Sequence, residues 1–266
     1  MDNQPIRLNK FLAERLGISR READDAIAAG KVVVDGKVAG LGARVDKNSK
    51  VCYNKKIVPF EAEYLYLAFN KPVGYVCSRR AQGQAPTLYE LLPLEYQKLK
   101  TVGRLDKDSS GLILLTNDGD FAFQMTHPKF HKEKVYEVSL DRPLEPLHQQ
   151  MISDYGVMLD DGPSKFMVIK NEGKISNSRA FATTGAIDEA SPMTIGASEE
   201  ARESLILPSY IVALSEGRNR QIRRTFAALG YRVTKLHRTS FGIFKLSTLP
   251  IGEYQLIDKK EIGIHF

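Results

Sequence analysis

The sequence predicts an α+β protein: a small N-terminal module of two helices and a β-hairpin, then a larger domain built on a mixed, largely antiparallel β-sheet with flanking helices. Three observations carry this. Apolar residues near the N-terminus recur at helical spacing. From Tyr64 onward, short β-rich runs recur with helical patterns between only some of them, unlike the regular alternation of a parallel α/β sheet. A chain of 266 residues, 42% hydrophobic, is long and apolar enough to bury one large core and one small one.

The elements follow in order. Leu8, Phe11, Leu12 and Leu16 line one helical face, and Gly17 is a natural stop. Ser19-Arg20-Arg21-Glu22 is a capping-box pattern, followed by Ala23, Ala26 and Ile27, so a second helix runs to about Gly30. Val32 and Val34 lead into Asp35-Gly36, a hairpin turn dipeptide, and Lys37-Val38 resumes the strand. The polar stretch VPFEAEY (58–64) is a connection, which sets a domain boundary near Glu63, with domains 1–63 and 64–266 and a flexible attachment between them. The runs YLYLAF, GYVCS, GLILLT, KVYEVSL, KFMVIK, LILPSYIVALS and YRVTKL are strand candidates, and RQIRRTFAALG is a helix closed by Gly230. Residues 172–204, rich in Ser, Ala, Gly, Thr and Glu without a sustained period, form an expected mobile insertion.

Charge and cysteine content narrow the function. The net charge is +6, and residues 1–63 hold twelve Lys and Arg against nine Asp and Glu, so half of the excess sits on the small module. Arg20 and Arg21 project from the start of the second helix and Lys31 lies just past its end, a pattern suited to phosphate. Cys52 and Cys77 are the two cysteines, too few for a disulfide framework or a four-cysteine zinc site. The start MDNQPIRLNK lacks the apolar core of a signal peptide, and no apolar run is long enough to span a bilayer; the expectation is a soluble, cytoplasmic chain, monomeric by default.

Three blocks carry candidate chemistry. Gly103 to Gly111 is a polar loop running into the apolar strand Leu112–Thr116, and Asp106 within it is a candidate for catalysis or for local turn hydrogen bonding. Asp106, Asp108 and Ser110 imitate half of a calcium loop, but its twelfth position is Asn117 where a bidentate Glu is needed, so no metal site is expected. His131–Val138 is a strand whose alternation puts Lys134, Tyr136 and Val138 on one face. From Gly217 to Gly252 there are eight Lys and Arg, Arg218, Arg220, Arg223 and Arg224 among them, and no acid. Either a polyanion or acids from distant segments must answer that charge, and the polyanion is favoured.

RLNKFLAERLGISRREADDAIAAGKVVVDGKV resembles the S4 RNA-binding domain, which implies binding to structured RNA through phosphate and shape contacts. With FNKPVGYVCS (69–78), VGRLDKDSSGLILLTNDGD (102–120), KVYEVSL (134–140), LSEGRNRQIRRTFAALG (214–230) and LHRTSFG (236–242), the whole chain resembles pseudouridine synthases of the RsuA and RluB type. It departs from them at Thr225, where Met or Leu is more usual, and in the insertion after Asn171.

The resemblance implies isomerisation of a uridine within ribosomal RNA, free or in an assembling subunit, with no cofactor. Asp106 corresponds to the nucleophile, Tyr136 to the tyrosine that receives the base, and Arg223 to an arginine that pairs with the Asp106 carboxylate and keeps it ionised. Ile222 corresponds to an apolar wall, and Arg104 to a contact with the vacated stack or the flanking phosphate. Arg218 and Arg220 extend the substrate surface. The base is expected to be flipped from its stack. The competing reading is a non-catalytic RNA-binding or ribosome-assembly factor on the same scaffold.

Overall fold

The computed structural model describes residues 4–61, 63–79, 83–171 and 207–263. The expected insertion 172–204 lies outside these residues. The chain divides into two compact units, Met1–Lys134 with Arg238–Phe266, and Val135–His237. Among the described residues, no helix is long and apolar enough to cross a membrane.

The first unit begins with the helices Leu8–Leu16 and Arg20–Ala28. Gly17 ends the first in the left-handed region, at φ 69°. Ser19 caps the second: its Oγ accepts the Glu22 N–H at 3.1 Å, and Glu22 Oε2 accepts the Ser19 N–H at 2.7 Å. Val32–Val34 and Lys37–Val38 form the hairpin, with Asp35 and Gly36 both at positive φ as its two-residue turn requires. Val32–Val34 also pairs with Val51–Tyr53. Leu8, Phe11, Leu12, Ala23, Ile27, Val32 and Val51 close into a dry core, so the helical and strand periods converge on one interior.

The polar connection does not leave this module loose. Lys100 Nζ donates to the carbonyls of Ala13 and Ile18 at 3.4 and 2.9 Å, at the end of the first helix and just beyond it. Lys10 pairs with Asp120 at 2.6 Å, and Asn117 ties down the C-terminal end of the connection, Nδ2 to Glu63 O at 2.9 Å and Oδ1 from Leu65 N at 2.8 Å. Side chains from beyond the connection thus cap helix-end carbonyls that would otherwise turn to water, at the point where a flexible attachment is expected.

The rest of the first unit is sheet and helix. Ser110–Thr116, buried along its whole length, pairs antiparallel with Tyr66–Lys71, which pairs on its other side with Tyr254–Leu256. Lys100–Val102 pairs with the far end of Ser110–Thr116. Phe121 and Met125 of the helix Gly119–Thr126 join a core with Tyr66, Leu112, Leu114 and Phe241. GYVCS is not a strand. Pro72 and Gly74, the latter at φ 97°, break the extended run, and Val76 makes only an isolated parallel bridge to Thr87.

In the second unit, the strands run in the order Met167–Lys170, Ser209–Leu214, Lys134–Leu140, with the first pair antiparallel. The expected helix forms as Gln221–Ala228. Val233–Phe241 carries the chain from the second unit back into the first.

Candidate active site

The loop between Lys100–Val102 and Ser110–Thr116 holds Arg104 and Asp106. Its main chain is fixed at four residues, Leu105, Asp106, Lys107 and Ser109. Cys77 Sγ donates to Leu105 O at 3.2 Å and accepts from Leu105 N at 3.3 Å. Lys71 Nζ donates to Asp106 O at 3.2 Å, to Ser109 O at 2.7 Å and to Pro72 O at 3.0 Å. Gly74 N donates to Lys107 O at 2.7 Å, and Ser109 N closes a turn on Asp106 O at 3.1 Å. Lys71 reaches this position because it stands opposite Gly111 at the end of the strand pairing, where the loop runs into the strand. Its side chain is fully buried. Burial pulls its pKa from 10.5 down to about 8, opposed by Cys77, Asp106 and Asp108, so it stays an ammonium at neutral pH. Burial pushes the Cys77 thiol up, which keeps it protonated and able to donate.

The start of the following strand is equally constrained. Gly111 has φ 105°, and a Cβ there would lie 2.5 Å from Arg238 N and closer still to Arg238 O, so only glycine permits this approach of the two backbones. Arg238, 2% exposed, donates from Nε to Leu112 O at 2.7 Å and lies 4.9 Å over the Phe241 ring. Leu105, Ser109 and Ser110 point inward, Asp106 is half-buried, and Arg104, Lys107 and Asp108 are exposed. The loop therefore presents one carboxylate from a braced backbone, with flanking charges in solvent.

In the second unit, Tyr136 lies on the buried face of Lys134–Leu140 with Val138 and Leu140, as the alternation predicts. Ile222 is buried on the helix Gln221–Ala228, and Arg223 donates from Nη1 to Val233 O at 3.0 Å. The turn before that helix is tightly built, with Arg220 in the left-handed region. Gln221 bonds to Ser164 Oγ at 3.1 Å and to Glu216, and Thr225 Oγ1 donates to Ser164 Oγ at 2.8 Å. The departure at Thr225 is thereby explained: its hydroxyl completes a buried polar contact that Met or Leu would leave unmade.

Part of the basic block is answered from within. Arg218 bonds to Asp161 Oδ1 at 2.9 Å and to the carbonyls of Asp161, Gly162 and Pro163. Arg224 bonds to Asp160 and Asp161 at 2.7 Å each. The Arg224 hydrogen bond, with Arg218 nearby, holds the Asp161 carboxyl below the usual carboxylate range. Acids from a distant turn thus neutralise two of the arginines for which a polyanion was favoured. Arg220, Arg232, Lys235 and Lys245 remain exposed.

The structure thus places Arg104 and Asp106 in the first unit and Tyr136, Arg218, Arg220, Ile222 and Arg223 in the second. Arg20, Arg21 and Lys31 are exposed on the N-terminal module. Sequence reasoning missed Lys71, Cys77 and Arg238 as supports of the loop, although the NKP and VCS runs bracket two of them.

A family model described as RNA pseudouridylate synthase matches residues 65–228, and an S4 domain model matches residues 6–51. The chain belongs to the RNA pseudouridylate synthase family. Among the curated members it resembles is the ribosomal small subunit pseudouridine synthase A of Pasteurella multocida, 35% identical over 97% of this chain and 98% of that protein. Another is the ribosomal large subunit pseudouridine synthase B of Pseudomonas aeruginosa, 34% identical over 97% of this chain and 61% of that protein. A pseudouridylate synthase crystal structure superposes with a TM-score of 0.60 at 29% identity, covering 97% of this chain and 98% of the other. Within this pseudouridylate synthase, the braced loop of the first unit carries Asp106, in the run VGRLDKDSSGLILLTNDGD.

Proposed function

We propose that this enzyme converts one or a few uridines of ribosomal RNA to pseudouridine, with Asp106 as nucleophile. The observation that carries the assignment is the loop in which Lys71, Cys77 and Gly74 fix the backbone from Leu105 to Ser109 around one half-buried carboxylate. Such fixing holds a nucleophile near its reactive geometry before substrate arrives. The N1–C1′ bond breaks, the uracil turns, and C5 bonds to C1′ while the C5 proton leaves and N1 gains one. The atoms balance without a redox partner or a group donor, so the reaction calls for no cofactor.

Because a stacked uridine hides these atoms, the nucleotide is flipped, at a cost of a few kcal/mol. Tyr136 receives the base beside Ile222, Arg223 supports the Asp106 carboxylate, and Arg104 meets the vacated stack or a flanking phosphate. Arg218 and Arg220 extend the substrate surface, while Arg20, Arg21 and Lys31 bind phosphates on the S4 module. The names of the similar proteins support ribosomal RNA as the substrate; in this proposal the enzyme meets that RNA in the cytoplasm, free or in an assembling subunit, and acts as a monomer.

The test is tritium release from 5-tritiated ribosomal RNA transcripts of each subunit, with the intact chain and with Asp106→Ala. Release that disappears in the variant supports both the reaction and the nucleophile. No release from either transcript or from partly assembled subunits would overturn the proposal in favour of a non-catalytic RNA-binding factor.

A further inference from the structure

The helix Gly119–Thr126 turns Phe121 and Met125 into the core, yet Phe123 between them is 46% exposed and Phe130, just after the helix, is 36% exposed. The two rings meet edge to face at 5.9 Å, and the His127 ring lies 4.7 Å from Phe123. Lys129 Nζ sits 4.6 Å from the Phe130 centroid and 5.4 Å from that of Phe123. The cluster is held by backbone. Pro128 opens the short helical turn Pro128–Phe130, the Lys129 N–H donates to His127 Nδ1 at 3.3 Å, and Phe130 N and His131 N donate to His127 O and Pro128 O. The segment's far end is fixed by Gly242 N donating to Glu133 O at 2.7 Å.

Neither ring belongs to the core formed by Phe121 and Met125, and exposed rings held in one group mark a binding surface. The stretch Thr126–Lys132 contains two Lys, two His and no acid. The large exposed apolar side chains of the cluster, Phe123 and Phe130, are aromatic, as suits stacking on a π-face. Rigid rings beside mobile cations are what single-stranded nucleic acid binders use, rings for bases and cations for phosphates. Preorganisation removes most of the ordering cost.

We propose that Phe123, His127 and Phe130 form a landing surface for a single-stranded stretch of the RNA, with a nucleobase stacked on the rings and Lys129 exchanging its weak cation–π contacts for the adjoining phosphate. The proposal rests on the RNA-modifying reading above and adds a contact outside both the Asp106 loop and the S4 module. The exposed cluster leads along the chain into the strand that carries Tyr136.

The experiment uses the intact chain and a uridine decamer containing 5-iodouridine, photo-crosslinked and mapped by mass spectrometry. An adduct on Phe123, His127 or Phe130 is expected. Phe123→Ser with Phe130→Ser should weaken decamer binding about tenfold, and Lys129→Ala should flatten the salt dependence by about 0.7 in log–log slope. Phe123→Leu with Phe130→Leu keeps apolar area and removes the π-faces. Wild-type affinity in that variant would overturn stacking and point to a protein partner. Adducts confined to other residues would overturn the surface altogether. Adducts here without tritium release from any ribosomal transcript would leave the surface standing and overturn the catalytic reading; release without such adducts would do the reverse.

Discussion

Replacing Lys71 by methionine keeps the length of the side chain but deletes the buried ammonium that holds Pro72 O, Asp106 O and Ser109 O. Asp106 O retains the Ser109 amide, whereas the Pro72 and Ser109 carbonyls lose this donor. Each acceptor stranded in the interior costs about 1–3 kcal/mol, and relief from burying a charge offsets part of the total, which leaves an expected destabilisation of about 2–4 kcal/mol at pH 7. Urea unfolding of the two proteins measures it directly. The pH dependence gives a second reading. Because the folded pKa, about 8, lies below the ordinary value of 10.5, the unfolded chain binds more protons between those values. The wild type therefore gains stability over Lys71→Met as pH rises from 8 to 10.5, by about 3 kcal/mol in full. Turnover should fall further than RNA affinity, since the loop that carries Asp106 loses its brace. A stability difference below about 1 kcal/mol that stays constant across this window, together with unchanged turnover, would refute the argument.

Two further outcomes follow from the packing. Gly111→Ala forces a methyl group against the backbone of Arg238, in a region of positive φ, so the variant should be recovered largely unfolded or with a sharply lowered Tm; a Tm within a few degrees of wild type in differential scanning calorimetry would contradict it. Lys100→Met removes the donor to Ala13 O and Ile18 O, and limited proteolysis should then cut near residues 58–64 several times faster, whereas an unchanged digestion rate would show that other contacts suffice.

Local rules made the N-terminal module legible. The Ser19–Glu22 box, the Gly17 stop and the Asp35-Gly36 turn each depend on a few adjacent residues, and each appears as expected. Tyr136 faces the interior because strand alternation is equally local. What stayed hidden depends on partners far along the chain. Lys71 bonds to residues 35 and 38 positions away, Cys77 to one 28 away and Arg238 to one 126 away. A lysine ending a strand, or a lone buried thiol, carries no sign of such a partner. The same distance hid Asp160 and Asp161 from the reading of Arg218 and Arg224, so a run without acids looked more in need of a polyanion than it is. GYVCS misled because its composition is that of a strand while Pro72 just before it and its own Gly74 set the backbone.

The Lys100 and Lys10 contacts change what the S4 module contributes. A module on a loose tether raises the concentration of RNA around a reactive group but does not choose among nearby uridines, because every span within reach is sampled. A module latched to the same compact unit as Asp106 has one span. Under the function proposed above, such an enzyme would work as a ruler: with the module seated on a structural landmark in the RNA, the nucleotide at one set separation would be the one offered for reaction.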